Sequence, residues 1–439
     1  MGYLSIDYIT VLGKRRKFRQ VCGTNFWRQI NSAKVINIVK WDLNVKICRL
    51  CKKNTVDSAI DFGRQPIVHN LSKAPNKGYE NYSFELGNCC TCGFLQLLHP
   101  IPPEVLYENY ITFSSWKKQP HVPRLINVIQ SLFGDDVNHR VLDVGCNDGS
   151  FLETLKGYGY KKLFGIEPTI DSSSIAKKKG FNVKQCFFSQ ETANQLYRKD
   201  YFDIVITRHV LEHILNLESF LKGIHDILDP KGILVIEVPD SDWNLRYLDY
   251  ALWEEHVNYF TLVTLTLLLK NFSFEIVHYE ATLFSGRALT VFCKKSNIVS
   301  KRILGLGTEE TKIQRYITRW PDFKRLLNKF LESLGKPVAM YGCGCRSANF
   351  LNLTGTSKYV DFFIDDQKEK QNLFVPGQKE LEVKPWMYEE FADYIFLLGV
   401  NTENESKVIK RRKMVYSAFF SVLPPSFNLP DFWNKLIYD

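Results

Sequence analysis

Short apolar runs alternate with amphipathic stretches through the middle of this chain. The runs Arg140–Val144, Lys162–Glu167, Asn182–Cys186, Phe202–Thr207 and Gly232–Val238 have strand length and are rich in Val, Ile, Leu and Phe. Between them lie segments of helical period, of which Leu217–Leu228 is the clearest. That rhythm predicts a parallel sheet with helices on both faces, an α/β fold of doubly wound type. Gly286–Cys293 predicts one more strand. A joint containing Lys and Ser (Lys294–Lys301) and a polar helical stretch then lead to a second, Rossmann-like α/β unit. There Pro337–Tyr341 predicts a strand, Gly342-Cys343-Gly344-Cys345 a turn and Arg346–Leu353 a helix. Tyr359–Ile364 and Tyr394–Leu398 read as further buried strands.

The sequence thus divides into a basic leader (1–45), a cysteine-bearing segment (46–100), a helical connector (101–139), the central α/β domain (140–295) and a C-terminal α/β domain (296–439). Pro100, Pro102 and Pro103 punctuate the end of the second segment. The most apolar stretch, Thr261–Leu269, is too short to cross a bilayer and predicts a buried helix. A membrane protein is therefore not expected.

Charge changes the picture only after it is located. The net charge is +10, and residues 1–53 alone hold twelve Lys and Arg against Asp7 and Asp42. The rest of the chain is formally neutral, so no nucleic-acid partner is expected of it. The leader, with Lys14-Arg15-Arg16-Lys17, lacks the apolar core of a secretory signal and is expected to be a disordered or non-native extension. Eleven cysteines without such a signal fit a reducing, cytoplasmic setting. Cys48-x-x-Cys51 and Cys89-x-x-Cys92 supply two chelating pairs, enough soft ligands for one tetrahedral structural zinc. Buried apolar thiols are the alternative, and Cys90 could replace Cys89 in a shifted knuckle.

Val141-Leu142-Asp143-Val144-Gly145-Cys146-Asn147-Asp148-Gly149 ends the first central strand in a glycine-punctuated turn, and Gly165-Ile166-Glu167-Pro168 ends the next in a lone carboxylate. Glycines admit a ligand close to the backbone, and a carboxylate at the following strand tip suits a ribose diol. Gly145 and Gly149 are not spaced as in a dinucleotide fingerprint, and acidic Asp148 disfavours a pyrophosphate. A cationic ligand without phosphate fits better. S-adenosylmethionine is one, and the stretch resembles the cofactor loop of class I methyltransferases. Asp143, Gly145, Asn147, Gly149 and Glu167 are the expected cofactor residues, with Arg208 and His209 adjacent at the end of the fourth strand. His209 and His213 would share a face if Arg208–Ile214 is helical.

Trp253-Glu254-Glu255-His256-Val257-Asn258-Tyr259-Phe260 follows the fifth strand, again at the ligand edge. A carboxylate beside an imidazole can raise its basicity and orient it, which suits proton abstraction near neutral pH. A structural histidine amid aromatics is the alternative.

Taken together, these motifs resemble the zinc-containing sugar C-methyltransferases that act on nucleotide-linked deoxy-keto-sugars. The resemblance runs over about residues 46–420: the cysteine pairs, Asp61–Asn70, Cys92–Leu97, Tyr107-Glu108-Asn109-Tyr110, the cofactor loop, Glu255–Phe260, Tyr341–Gly344 and Ile364-Asp365-Asp366 through Val375-Pro376-Gly377. It implies S-adenosylmethionine as cofactor, a structural zinc on Cys48, Cys51, Cys89 and Cys92, and C-methylation beside a 4-keto group through an enolate. By the same resemblance His256 is the base, Glu255 orients it and Tyr110 lines the pocket. The chain departs from the family at Trp253, where a tyrosine is common, at Phe284–Leu289, and at Arg346-Ser347, where Lys-Gly is usual. Gly342-x-Gly344 could cradle a diphosphate with Arg346, and Asp365 or Asp366 could meet a ribose. O- or N-methylation of another metabolite, a zinc-bearing nucleic-acid module and a noncatalytic scaffold are the competing readings.

Overall fold

The computed structural model describes residues 47–439 except 76–78, 107–118, 251, 297–305, 378, 388–389, 415–418, 427 and 439. The basic leader and Tyr110 lie outside the described residues.

In chain order the strands are β1 (Val56–Pro66), β2 (Asn81–Cys89) and β3 (Leu95–Leu97), then β4 (Arg140–Val144), β5 (Lys162–Ile166), β6 (Asn182–Lys184), β7 (Phe202–Arg208), β8 (Leu228–Pro239), β9 (Asn258–Tyr259), β10 (Phe274–Leu283) and β11 (Arg287–Lys295). The C-terminal part adds β12 (Val338–Tyr341), β13 (Phe363–Ile364), β14 (Phe374–Val375), β15 (Leu381–Lys384), β16 (Ile395–Leu398) and β17 (Phe419–Ser421).

The central sheet has the order β10-β11-β8-β7-β4-β5-β6. Its five inner and distal strands, β4 to β8, run parallel, and β10 and β11 close it as an antiparallel hairpin. Side chains alternate between faces with the period of a strand. Leu142, Val144 and Val205 pack with the helices Leu217–Ile227 and Leu262–Asn271, while Val141, Ile204 and Ile206 pack with Val122–Phe133. The strand order reverses around β4, so a ligand crevice is expected beyond the carboxyl ends of β4, β5 and β7.

The C-terminal sheet, β14-β15-β13-β12-β16-β17, is parallel except at β14. The third sheet, β1-β2-β3-β9, does not close within the cysteine-bearing segment. Its last strand is β9, which arrives from the central domain and pairs antiparallel with β3 through Leu95–Tyr259 and Gln96–Asn258. A single buried cluster joins Phe84 and Leu97 of this sheet, Tyr250 of the central domain, Trp320 and Phe323 of the long helix Leu306–Ser333, and Met340 and Val383 of the C-terminal sheet. Among the described residues, no helix is long and apolar enough to cross a membrane.

Two expected elements differ. Arg208–Ile214 is not a helix: Leu211–His213 form a 3-10 turn, and His209 is left-handed with φ 54°. The His209 amide donates to the Glu237 carbonyl at 2.8 Å, which keeps this segment tied to β8, and His209 and His213 share no helical face. In Tyr359–Ile364 only Phe363–Ile364 is strand, because Ser357–Tyr359 turn as a 3-10 helix.

Candidate functional site

The four paired cysteines converge. Cys48 and Cys92 sulfurs are 3.6 Å apart, as are those of Cys51 and Cys89, and all four lie within 4.8 Å of one another. These distances exclude disulfides. Zinc–sulfur bonds of about 2.3 Å at tetrahedral angles separate sulfurs by roughly 3.8 Å, so the donor set fits a zinc ion. Hydrogen bonds shared among these thiols lower the Cys89 pKa and raise those of Cys48 and Cys92. Gly93, at φ 71°, makes the knuckle turn, and the exposed Cys90 points to Asp57 instead.

At the crevice of the central sheet, Gly145 has φ 81° and a Cβ there would meet Val210 Cγ2 at 2.4 Å. No side chain fits, because Val210 packs directly against this turn of the backbone. Gly149, at φ 77°, caps the helix Ser150–Gly157. Asp148 accepts from the Ser150 amide and hydroxyl and pairs with Lys179 at 3.4 Å, so its charge is spent within the loop. Glu167 stands at the tip of β5 as expected. Its Oε2 accepts from the Asn147 amide at 2.9 Å, and its Oε1 accepts from the amide and hydroxyl of Thr169. A carboxylate has about four acceptor positions. Three are used, and Oε2 retains one for a hydroxyl beside the loop. Burial raises the Glu167 pKa against these bonds, and burial pushes Asp143 up to about 7 despite the charge of Arg208.

Arg208 and His209 turn toward Glu237 at the end of β8. Arg208 lies over the Phe151 ring, bonds Gln119 and pairs with Glu237 at 3.2 Å. His209 Nε2 meets the same carboxylate at 2.8 Å, His121 meets it at 3.1 Å, and the Thr290 hydroxyl donates to it at 3.2 Å. Burial alone would raise the Glu237 pKa, but Arg208, His121 and His209 together hold it well below the usual carboxylate range. Burial likewise opposes a charge on His209, yet Glu212 and Glu237 push its pKa up to about 9. This buried network braces the crevice floor. Its members His121 and Glu237 had no motif to reveal them, because 116 residues separate them.

His256 is only 4% exposed and stacks on Trp253, with ring centroids 4.1 Å apart. On its other side the His213 ring stands edge-on at 5.0 Å. Glu255 Oε1 meets His69 Nδ1 at 2.6 Å, and Glu255 also interacts electrostatically with His256. Glu254 and Glu255 form a turn in which the His256 amide donates to the Trp253 carbonyl at 3.0 Å, and His69 reaches Glu255 from the cysteine-bearing segment. Burial opposes the charge of each, but their mutual attraction raises the His69 pKa and lowers that of Glu255. Glu254 accepts from the Val68 amide at 2.7 Å, while burial pushes its own pKa up to about 7. Both glutamates therefore clamp residues 68–69. Arg49 completes the tie, donating to the carbonyls of Val257 at 2.9 Å and Leu97 at 2.6 Å. The zinc knuckle, β3 and the His256 loop are one hydrogen-bonded assembly.

The C-terminal glycine turn is filled by its own chain. Asp365 accepts from the Cys343 amide at 2.8 Å, and Lys370 donates to the Cys343 carbonyl at 2.6 Å. Asp366 is held by Arg411 and Arg412. Arg346 does not face an anion site: it is buried, pairs with Asp249 at 2.6 Å and donates to Asn401 Oδ1 and the Pro424 carbonyl. The expected diphosphate cradle is thus a staple between the central and C-terminal sheets.

Comparison with known proteins agrees with this geometry. Residues 116–279 match the family profile "Methyltransferase domain", residues 48–107 match "Putative zinc binding domain", and residues 304–418 match "C-methyltransferase C-terminal domain". The fold and crevice define a methyltransferase that uses S-adenosylmethionine, with a zinc-binding module before it. More narrowly, the zinc-binding and C-methyltransferase C-terminal profiles, with a C-methyltransferase relative, support a C-methyltransferase family. C-methyltransferase NovU of Streptomyces niveus is 23% identical, over 81% of this chain and 89% of its own. Ubiquinone biosynthesis O-methyltransferase of Bradyrhizobium diazoefficiens is 28% identical over 34% of this chain and 56% of its own. A SAM dependent methyltransferase of known structure from Archaeoglobus fulgidus covers 40% of this chain and 92% of its own, with 22% identity and a TM-score of 0.34.

Proposed function

We propose that this protein methylates a carbon next to the keto group of a nucleotide-linked 4-keto-deoxysugar, with His256 as the base. The observation that carries the reading is a buried imidazole at the ligand edge of a methyltransferase sheet, stacked on Trp253 and bordered by carboxylates. A keto group acidifies the neighbouring C–H, and His256 takes that proton to leave an enolate. Glu212 and Glu255 act electrostatically on the His256 ring and favour the imidazolium that forms. Trp253 fixes the ring plane and keeps water from one face. S-adenosylmethionine, when bound, supplies the electrophilic methyl group. Asp143 and Gly145 would lie near its methionine end, with Asn147 in the same loop and Gly149 at the helix start, and Glu167 would hold the ribose hydroxyls. The similarity to a C-methyltransferase over most of both chains supports carbon as the acceptor atom.

The test is product analysis after incubation with methyl-13C-labelled cofactor and a panel of nucleotide-linked keto-sugars. A labelled methyl with one-bond coupling to a sugar carbon is the expected product. A label on oxygen or nitrogen would overturn the reading.

A further inference from the structure

The crevice holds a second group with the chemistry of a metal centre, apart from the four cysteines. One ligand atom each from Glu212, His213 and His256 can be chosen so that all lie within 4.8 Å of one another. Glu212 is the centre of this group. Its side chain is 2% exposed, and neither carboxylate oxygen has a hydrogen-bond partner. Its Oε1 forms ion pairs with His209 Nδ1 at 3.6 Å and His213 Nε2 at 3.9 Å. His209 supplies part of the positive charge that this buried carboxylate needs, and a metal ion would supply more.

His213 is oriented as a ligand would be. Its Nδ1 lies 2.9 Å from the Glu255 carbonyl, which can only accept, so the proton sits on Nδ1. When the ring is neutral, Nε2 carries the lone pair a metal needs, 3.9 Å from Glu212 Oε1. Donation of the second ring N–H to a carbonyl is the device that fixes the tautomer of metal-bound histidines. Two imidazoles and one carboxylate form a donor set suited to zinc and its neighbours rather than to calcium or magnesium, with a fourth position left for water or substrate oxygen.

We propose that Glu212, His213 and His256 form a second, exchangeable site for a zinc-class divalent cation, and that filling it ties up the His256 lone pair and stops methyl transfer. The site stands on its own geometry; the inhibitory consequence rests on the base role proposed for His256.

Cobalt(II) is the probe, added to the full chain with its structural zinc in place and free metal removed. The expected result is one additional equivalent by elemental analysis, with visible d–d absorption but no sulfur charge-transfer band. Thiolates are absent from this donor set, so that band separates the new site from the cysteine site. Glu212→Gln and His213→Gln are each expected to weaken binding at least tenfold. No additional equivalent, or cobalt absorption that always carries the thiolate band, overturns the site. Unchanged affinity in either variant that keeps its circular dichroism overturns it too; if Glu212→Gln does not fold, His213→Gln and the stoichiometry of the unaltered protein still decide. Bound cobalt is further expected to abolish donor-free proton exchange on a keto-sugar. Exchange that continues at full occupancy would leave the site standing and remove His256 as the base.

Discussion

Asp143 carries the clearest charge–function link at the scale of one residue. Burial pushes its pKa up to about 7, so near neutrality the cofactor-free protein holds it partly protonated. A raised carboxyl pKa means stability that is complete at acid pH and is lost as pH rises from about 4 to about 7. Asp143→Asn is therefore expected to be more stable than the parent above pH 7, by on the order of 1 kcal/mol, in thermal or urea unfolding without ligand. A cationic cofactor reverses the preference and expels the proton. Affinity for S-adenosylmethionine should then rise between pH 6 and pH 8, by at most about tenfold per unit, with proton release visible in titration calorimetry across buffers. The Asn variant should lose that release. Gly145→Ala tests the neighbouring position: φ 81° and a contact at 2.4 Å leave no room, and weakened cofactor binding is expected even where the fold survives.

The zinc module and the His256 loop act together at the scale of elements, because β9 is the fourth strand of the module's sheet. Chelation of the zinc is expected to raise amide exchange not only around Cys48 and Cys89 but also at Val257–Tyr259, with activity falling in step. Faster exchange confined to the knuckles would show that the two are independent. Arg49→Ala should have a milder form of this phenotype: zinc retained, turnover reduced, cofactor affinity unchanged. This coupling was not legible in the sequence. The cysteine pairs, the glycine turn and the strand bearing Glu167 were, because each is set by local periodicity or spacing. The His69–Glu255 pair was not, since its members stand 186 positions apart and no periodicity links them. Whether Arg208–Ile214 is helical was open for a related reason: Glu237, on another strand, captures His209 and bends the chain.

At the scale of the whole molecule, the expected modules share one interior. Trp320 and Phe323 of the long helix pack among residues of both the zinc-side and C-terminal sheets, so cutting near residue 296 would expose a large apolar face. The Asp249–Arg346 pair spans the same junction, and Gly286 of the β10–β11 turn sits against it, with no space for a Cβ beside Asp249. Arg346→Met removes the cation facing a buried carboxylate, and a loss of about 3–5 kcal/mol is expected in denaturant unfolding. If the loss is below ~1 kcal/mol, the pair is not the staple described. What this shared interior secures is the position of one imidazole over the cofactor crevice. The most direct measurement is donor-free deuterium exchange on a nucleotide-linked 4-keto-sugar, followed by NMR in D2O for the parent protein and His256→Asn. Loss of the signal alpha to the carbonyl with the parent, and at least about a hundredfold slower loss with the variant at equal cofactor affinity, is the expected result. Equal exchange rates in the two proteins would contradict the account.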